Sequence, residues 1–310
     1  MPDALPTIGA HVGVMDEIDL IAACIGHLRQ IGVSQIVVHD MYSTDGTREW
    51  LTQATEGHAD LAVVSYPPGT TEDLLIAFFA ETVRGFHTDW VVMLDADEFP
   101  LPRSGDLRQD MAVARGDEVS LRRHNVALGS EGALLPLPVS TEDYADIPLY
   151  VRMESRFQRA LAENPADYWL RGVPNPKVAV RPTLLQGFGP GMHATRAPGA
   201  AQATPQVLPG IVVAHLPLTT YKRFAHKIDN VRALFAEQVT WPAGFGWHWR
   251  RWVELAERGE LRAEYDRSIC SPAELARLHL EGAVRSAAEV LSGQPSGFVP
   301  SDADRARTPV

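Results

Sequence analysis

Trp90-Val91-Val92-Met93-Leu94-Asp95-Ala96-Asp97-Glu98-Phe99 is the stretch that decides the fold. Trp90 to Leu94 is too short for a helix and apolar on both faces, as a strand buried on both sides of a sheet must be. It runs directly into two carboxylates separated by one small residue. Working outward, Thr7 to Val14 reads as a first strand. The helix after it begins at Asp16, carries Ile18, Ile21, Ala22, Ile25 and Leu28 on one face, and is closed by Gly32. Gln35 to His39 is a second strand ending in Asp40, followed by the turn Ser43-Thr44-Asp45-Gly46-Thr47 and a short helix from near Arg48. Leu61 to Ser65 is a third strand, and Thr70 is suited to cap the next helix, which contains Leu74, Ile76, Ala77, Phe78 and Ala80. Strand and helix alternating at these lengths predict an α/β fold with a mainly parallel sheet covered on both faces. Ligands bind such sheets at the carboxyl ends of the strands, where Asp40 and Asp95 both lie.

The pattern becomes irregular beyond Arg103. It includes a proline-rich stretch at Leu134 to Val139 and the acidic loop Glu142-Asp143-Tyr144-Ala145-Asp146. Lys177 to Arg181 and Gly210 to His215 read as later strands and Tyr221 to Gln238 as a helix. Further on, Ser271 is a cap, Pro272 takes the first helical position and Glu274 completes a capping box. Pro295 to Val310 reads as a frayed tail. The expected division is one α/β domain over residues 1–230 and a helical C-terminal extension over 231–310.

The 310 residues are 45% hydrophobic and 22% charged, as in ordinary globular proteins, and carry a net charge of −11. That balance argues against a nucleic-acid partner, which requires an extended cationic surface. Cys24 and Cys270 are too few for a thiolate zinc cage and make a disulfide framework unexpected. Neither a signal-peptide pattern nor an apolar run long enough to span a bilayer is legible, so the expectation is a cytoplasmic protein, with a peripheral place at the inner face of the membrane as the option left open.

Asp95-Ala96-Asp97 just past a buried strand suits a hard divalent cation, whose charge would neutralise a diphosphate. Asp40 and its polar turn suit a ribose or base, although the same residues also make ordinary turns and caps. Together these elements resemble the family 2-type glycosyltransferases, in a bacterial branch. That branch carries Lys/Arg-Asn-Glu, then a helix, Gly-Val, a strand and Asp-Asn-x-Ser-x-Asp-Gly-Thr. Here stand Met15-Asp16-Glu17, Gly32-Val33 and Asp40-Met41-Tyr42-Ser43-Thr44-Asp45-Gly46-Thr47. The family's Leu-Asp-x-Asp-Glu-Phe matches Leu94-Asp95-Ala96-Asp97-Glu98-Phe99. Its His-Tyr-Pro-x-Arg-Ser-x-x-x-Phe-x-x-Lys aligns without a gap on His215 to Lys227, with Thr219 in place of the Arg. The resemblance covers about residues 5 to 230.

It implies a GT-A fold, a UDP- or GDP-type sugar donor, a bound Mn²⁺ or Mg²⁺, and a glycan, lipid-linked or other hydroxyl acceptor. By analogy Glu17, Asp40, Asp45, Asp95 and Lys227 are donor-binding candidates, and Asp95, Asp97 and His215 are metal candidates. Lys177, between Pro174-Asn175-Pro176 and Arg181-Pro182, is a further candidate for a phosphate contact, although a solvated surface lysine is the commoner reading. An inverting transfer needs a general base, for which Glu142, Asp143 and Asp146 are the candidates. His193 stands as a weaker candidate beside His215. Trp241, Phe245, Trp247, Trp249 and Trp252 read more readily as core than as a sugar platform, and Arg250-Arg251 is a weak candidate for an anionic acceptor. The competing readings are a haloacid dehalogenase-type phosphohydrolase, a nucleotidyltransferase and a catalytically degenerate nucleotide-binding protein. The first expects Thr or Val where Phe99 stands, and the second a glycine-rich basic loop where Val12-Gly13-Val14-Met15 stands.

Overall fold

Alternation along the apolar strands builds two hydrophobic layers on opposite faces of one sheet. In the strand of Trp90–Asp95, Trp90, Val92 and Leu94 join one core while Val91 and Met93 join the other. The computed structural model describes residues 4–65, 72–129, 145–151, 169–171, 174–189, 192–195, 205–237 and 246–293. Its principal sheet contains β1 (Ile8–Val14), β2 (Gln35–Asp40), β3 (Leu61–Ser65), β4 (Trp90–Asp95), β5 (Glu98–Pro102), β6 (Glu118–Asn125), β8 (Lys177–Val180) and β9 (Gln206–His215), in the order β3-β2-β1-β4-β8-β6-β9-β5. The first four strands run parallel, and β8 and β5 are antiparallel to their neighbours. Strands β7 (Pro148–Tyr150) and β10 (Val284–Ser286) form a separate antiparallel pair. This is the mixed α/β class expected from the strand–helix alternation.

Helix α1 (Ile18–Gln30) buries Leu20, Ile21, Cys24, Ile25 and Leu28 against the first layer. It ends before Gly32, whose φ of 93° is the left-handed conformation a glycine adopts without a Cβ clash. Helices α2 (Thr47–Thr55) and α4 (Leu107–Met111) pack on the same layer, and α3 (Glu72–Arg84) covers the other through Phe79, Ala80 and Val83. Helix α5 (Tyr221–Glu237) crosses position 230, the expected domain boundary. A third core joins its Phe224 and Ile228 to Trp252 of α6 (Trp247–Glu257) and to Leu261 and Tyr265 of α7 (Leu261–Asp266). Helix α8 (Pro272–Leu280) begins as expected, with Ser271 Oγ accepting from the Glu274 amide at 3.2 Å. The Glu274 carboxylate accepts from Arg171 at 2.7 Å. The complete capping box belongs instead to Ser286 and Glu289 at α9 (Ala287–Leu291), which returns to the first core through Ala287, Val290 and Leu291.

Four strands escaped the periodicity: the short pair β7 and β10, and β5 and β6 of the principal sheet. β5 starts only two residues after β4 ends, and its prolines, Pro100 and Pro102, suit the outer strand it occupies beside β9. β6 contains Arg122, Arg123 and His124, which break the apolar run. Thr70, Leu134 to Val139, Trp241, Phe245 and Pro295 to Val310 lie outside the described residues.

Two histidines inside the sheet make a prediction. His11 on β1 and His39 on β2 are both buried, joined Nε2 to Nδ1 at 3.0 Å, and both rings pack on Phe79. Burial pushes His39 down to about 4 and His11 well below the usual imidazole range. Both are therefore neutral in the fold, whereas the unfolded chain protonates them below about pH 6.5. Their contribution is fully present above that pH and lost as the pH falls from 6.5 toward 4, by about 1.4 kcal/mol per pH unit for each histidine. Melting temperature against pH should fall over this window, and His11→Gln should make the slope shallower. An unchanged slope would reject the assignment.

Candidate active site

The register of three strands assembles the site. Glu98 on β5 and Asn125 on β6 are both paired with His215 on β9, so these three side chains share one row of the sheet. Arg123 stands two residues before Asn125 on the same face. Across the sheet, Gly13 at the end of β1 pairs with Asp95 at the end of β4. The turn Ala96-Asp97 links the centre to the outer strands. The Ala96 amide donates to Gly13 O at 2.9 Å, and the Leu216 amide donates to Asp97 O at 2.8 Å. A Cβ at Gly13 would stand 3.3 Å from Asp95 Oδ1, so any larger residue would press on that carboxylate.

Four carboxylates and four cations converge on this turn. Glu98, fully buried, accepts from Arg123 Nη1 at 2.5 Å, from Lys177 Nζ at 3.0 Å and from the Asp95 amide at 2.8 Å. Lys177 Nζ also donates to Asp95 Oδ2 at 2.8 Å, and the Asp95 side chain remains 43% exposed. Buried Asp97 receives Lys227 Nζ at 3.0 Å and Arg223 Nη2 at 3.3 Å on Oδ2. Glu17 pairs with both the Nε and Nη2 of Arg223 and lies 3.6 Å from Lys227 Nζ. Burial opposes ionisation of Asp97, but Lys227 and Arg223 hold its carboxyl well below the usual carboxylate range. For Glu98 and Glu17 burial prevails, and their carboxyls are raised despite their cations.

The donor set fits a divalent cation. Asn125 Nδ2 donates to Leu170 O at 3.0 Å, which leaves its Oδ1 to accept from His215 Nδ1 at 2.7 Å. The His215 proton is thereby placed on Nδ1, and the Nε2 lone pair faces Asp97 Oδ1 at 3.7 Å. Burial pushes His215 well below the usual imidazole range, so it is neutral and able to ligate. Among the described residues, Asp97, Glu98 and His215 form a group that could hold a metal ion, with one ligand atom from each within 4.8 Å of the others. The sequence expectation was Asp95, Asp97 and His215. The difference is that Lys177 draws Asp95 Oδ2 aside, while the fully buried Glu98 is fixed beneath the turn.

The remaining candidates take distinct places. Asp40 is fully buried, with Oδ1 accepting from the Ser43 amide at 2.9 Å and Oδ2 from Arg48 Nε at 2.7 Å. Asp45 accepts from the Ile18 amide at 3.0 Å, joining the start of α1 to the turn before α2, and from Thr47 Oγ1 at 2.6 Å. Both therefore order the loops at the strand ends. Asp146 is exposed in the turn before β7, where the Ala288 amide bonds the neighbouring Ala145 carbonyl. Glu142 and Asp143 lie outside the described residues. His193 Nδ1 donates to Pro176 O at 3.0 Å. Trp252 is core, edge-on to Phe224 at 5.1 Å, and Arg251 pairs with Glu264 at 3.0 Å. Arg250 lies over the Phe235 ring.

Several participants were missed in the sequence. Arg123, Asn125 and Arg223 have no motif of their own, and only strand register or helix placement brings them in. Thr219, which stands where the family has Arg, is buried, and its carbonyl accepts from Tyr265 at 2.9 Å. Arg223 instead brings a guanidinium to Asp97. Asp16 and Tyr42, at the ends of β1 and β2, hold φ of 54° and 62°, conformations that non-glycine residues adopt at a cost. Asp16 is held there by bonds to its carboxylate from the Thr44 amide at 2.5 Å, Asn230 at 2.6 Å and His226 at 3.0 Å.

No known protein-family pattern matches the chain, and no curated protein sequence matches it. Several solved structures do. Staphylococcus aureus TarS 1-349 in complex with UDP matches at 15% identity over 39% of this chain and 36% of that chain, with a TM-score of 0.32. The mannosyltransferase PcManGT from Pyrobaculum calidifontis, in complex with GDP-Man and Mn²⁺, matches at 17% identity over 91% of this chain and 81% of that one, TM-score 0.38. GalNAc-T7 with UDP, GalNAc and Mn²⁺ matches at 10% identity over 95% and 59%, TM-score 0.42. The alignment with TarS thus spans little more than a third of that protein's solved chain. Among the described residues of the present chain, no helix is long and apolar enough to cross a membrane.

Proposed function

We propose that this protein is a metal-dependent glycosyltransferase that moves a sugar from a UDP- or GDP-type donor to an acceptor hydroxyl with inversion. The observation that carries this reading is the Asn125–His215–Asp97 relay at the carboxyl ends of the strands, where a neutral imidazole lone pair and a buried carboxylate converge. Asp97 and His215 would hold Mn²⁺ or Mg²⁺, with Asp95 or Glu98 completing the protein's share. A bound cation would neutralise the diphosphate as it leaves. Glu98 acts from below, fixing Lys177 and Arg123, while Asp40 and Asp45 order the loops against which a nucleotide would lie. The acceptor oxygen would attack the anomeric carbon as the sugar–phosphate bond breaks, its proton passing to a carboxylate of the acidic loop. Glu142, Asp143 and Asp146 remain the candidates for that base. The solved structures that bind UDP or GDP-Man are in keeping with this donor class, and a cytoplasmic location at the inner face of the membrane is part of the same proposal.

A thermal-shift panel of UDP, GDP, CDP and dTDP, each with and without Mn²⁺, tests the reading. One nucleotide should stabilise the protein only when Mn²⁺ is present; stabilisation by none would reject it. The relay makes a sharper prediction. Asn125→Ala should weaken Mn²⁺ binding in the presence of the nucleotide by about 10- to 100-fold, since His215 loses the partner that fixes its tautomer and direction. An unchanged Mn²⁺ titration would remove His215 from the ligand set.

A further inference from the structure

The cation cluster is not uniform, and one member differs from the rest. Arg223 is 4% exposed and holds Glu17, Asp97 and the carbonyls of Leu216 and Pro217, the last two at 3.1 and 3.2 Å. Lys177 is 2% exposed and lies between Asp95 and Glu98. Arg123 is 10% exposed and tied to Glu98. Lys227 is 31% exposed and, among the described residues, pairs with Asp97 and Glu17. It projects from α5 on a flexible four-carbon stem and carries a compact ammonium, which rearranges more readily than a forked guanidinium. It also sits on Oδ2 of Asp97, the carboxylate whose Oδ1 faces the His215 lone pair.

We propose that Lys227 is a placeholder cation that gives up Asp97 to the metal ion and passes to the diphosphate of the incoming donor. This rests on the glycosyltransferase reading above. The charges support an exchange rather than simple addition. Glu17, Asp95, Asp97 and Glu98 are already matched by Arg123, Lys177, Arg223 and Lys227. A divalent cation entering alone would leave two positive charges uncompensated in a largely buried cluster, an arrangement that Coulomb repulsion disfavours. A diphosphate entering alone would meet the exposed carboxylate of Asp95. Entering together they cancel, and the released ammonium gains phosphate oxygens in exchange for a carboxylate. Metal and nucleotide should therefore bind with positive coupling, each tightening the other by the same factor.

The test is a titration of Mn²⁺, followed by the spin-resonance signal of the free ion, with and without UDP or GDP. It compares the wild-type protein with Lys227→Met and Lys227→Gln, each checked for a cooperative melt. The wild type should bind Mn²⁺ weakly alone and at least tenfold more tightly with its nucleotide. Removing the ammonium should tighten binding of Mn²⁺ alone by at least tenfold. It should also weaken the nucleotide in saturating Mn²⁺ by at least tenfold, so that the coupling shrinks. Mn²⁺ affinity that is unchanged or lower in both variants, with the nucleotide still coupled in the wild type, would overturn the placeholder role and leave the glycosyltransferase reading standing. Failure of the wild type to bind either nucleotide in saturating Mn²⁺ would overturn both.

Discussion

Asp97→Asn should lose all metal-dependent stabilisation by the nucleotide while the protein still folds. For the wild type, a ligand at a hundred times its dissociation constant adds about 2.7 kcal/mol. For a chain of this size that is a rise of about 4 °C in melting temperature. Asn keeps the volume and one acceptor oxygen but not the charge, so it cannot oppose a divalent ion, and the rise should vanish. The choice of Asn over Ala matters. Asp97 is buried beneath Lys227 and Arg223, and Asp97→Ala would strip both of an acceptor. That truncation should itself cost about 3 kcal/mol or more, because breaking a buried pair strands the remaining charge. A metal-dependent shift retained in Asp97→Asn would contradict the role given to this carboxylate.

The largest effect on stability is expected at Arg223. Its guanidinium joins α5 to Glu17 at the head of α1, to Asp97 in the β4–β5 turn and to the chain following β9. Arg223→Met keeps much of the stem but leaves Glu17 and Asp97 under-compensated and two carbonyls without this donor. We expect a loss of about 3–5 kcal/mol, a fall of about 5–8 °C in melting temperature. The double variant Glu17→Gln/Arg223→Met should recover part of that loss, since it no longer buries the unpaired Glu17 charge. The interaction energy of the double-mutant cycle would then exceed 1 kcal/mol. Additive effects, or a single-variant loss below 1 kcal/mol, would show that the pair is solvated and not structural.

The parallel half of the sheet was legible because every signal agreed there. Short apolar runs, helical periodicity and Gly32 all indicated the same crossover units, and Asp95 and Asp97 fell at a strand end as such units require. The antiparallel half was obscure for physical reasons. Arg123 and Asn125 make β6 look like a loop, because side chains that serve the site replace the apolar ones that announce a strand. The prolines of β5 likewise disguise an outer strand. Within the site, motif spacing singled out carboxylates but not their partners. Glu98 lay next to Asp97 in plain sight, yet its part as the buried anchor for Arg123 and Lys177 depends on the pairing of β5 with β9 and of β6 with β8. Asp40 and Asp45 show the converse. Their residue types suit a ligand or a turn equally, and the hydrogen bonds to Ser43, Arg48, Ile18 and Thr47 place them in the loop framework.

The central claim is that Asp97 and His215 hold a divalent cation against the diphosphate of a sugar donor. Anomalous diffraction at the manganese absorption edge, from crystals grown with Mn²⁺ and the stabilising nucleoside diphosphate, tests it most directly. The account predicts one anomalous peak within coordination distance of His215 Nε2 and an Asp97 oxygen, touching the diphosphate, with Lys227 Nζ moved from Asp97 to a phosphate oxygen. A nucleotide bound with no peak at that position, or a peak whose ligands include neither Asp97 nor His215, would contradict it.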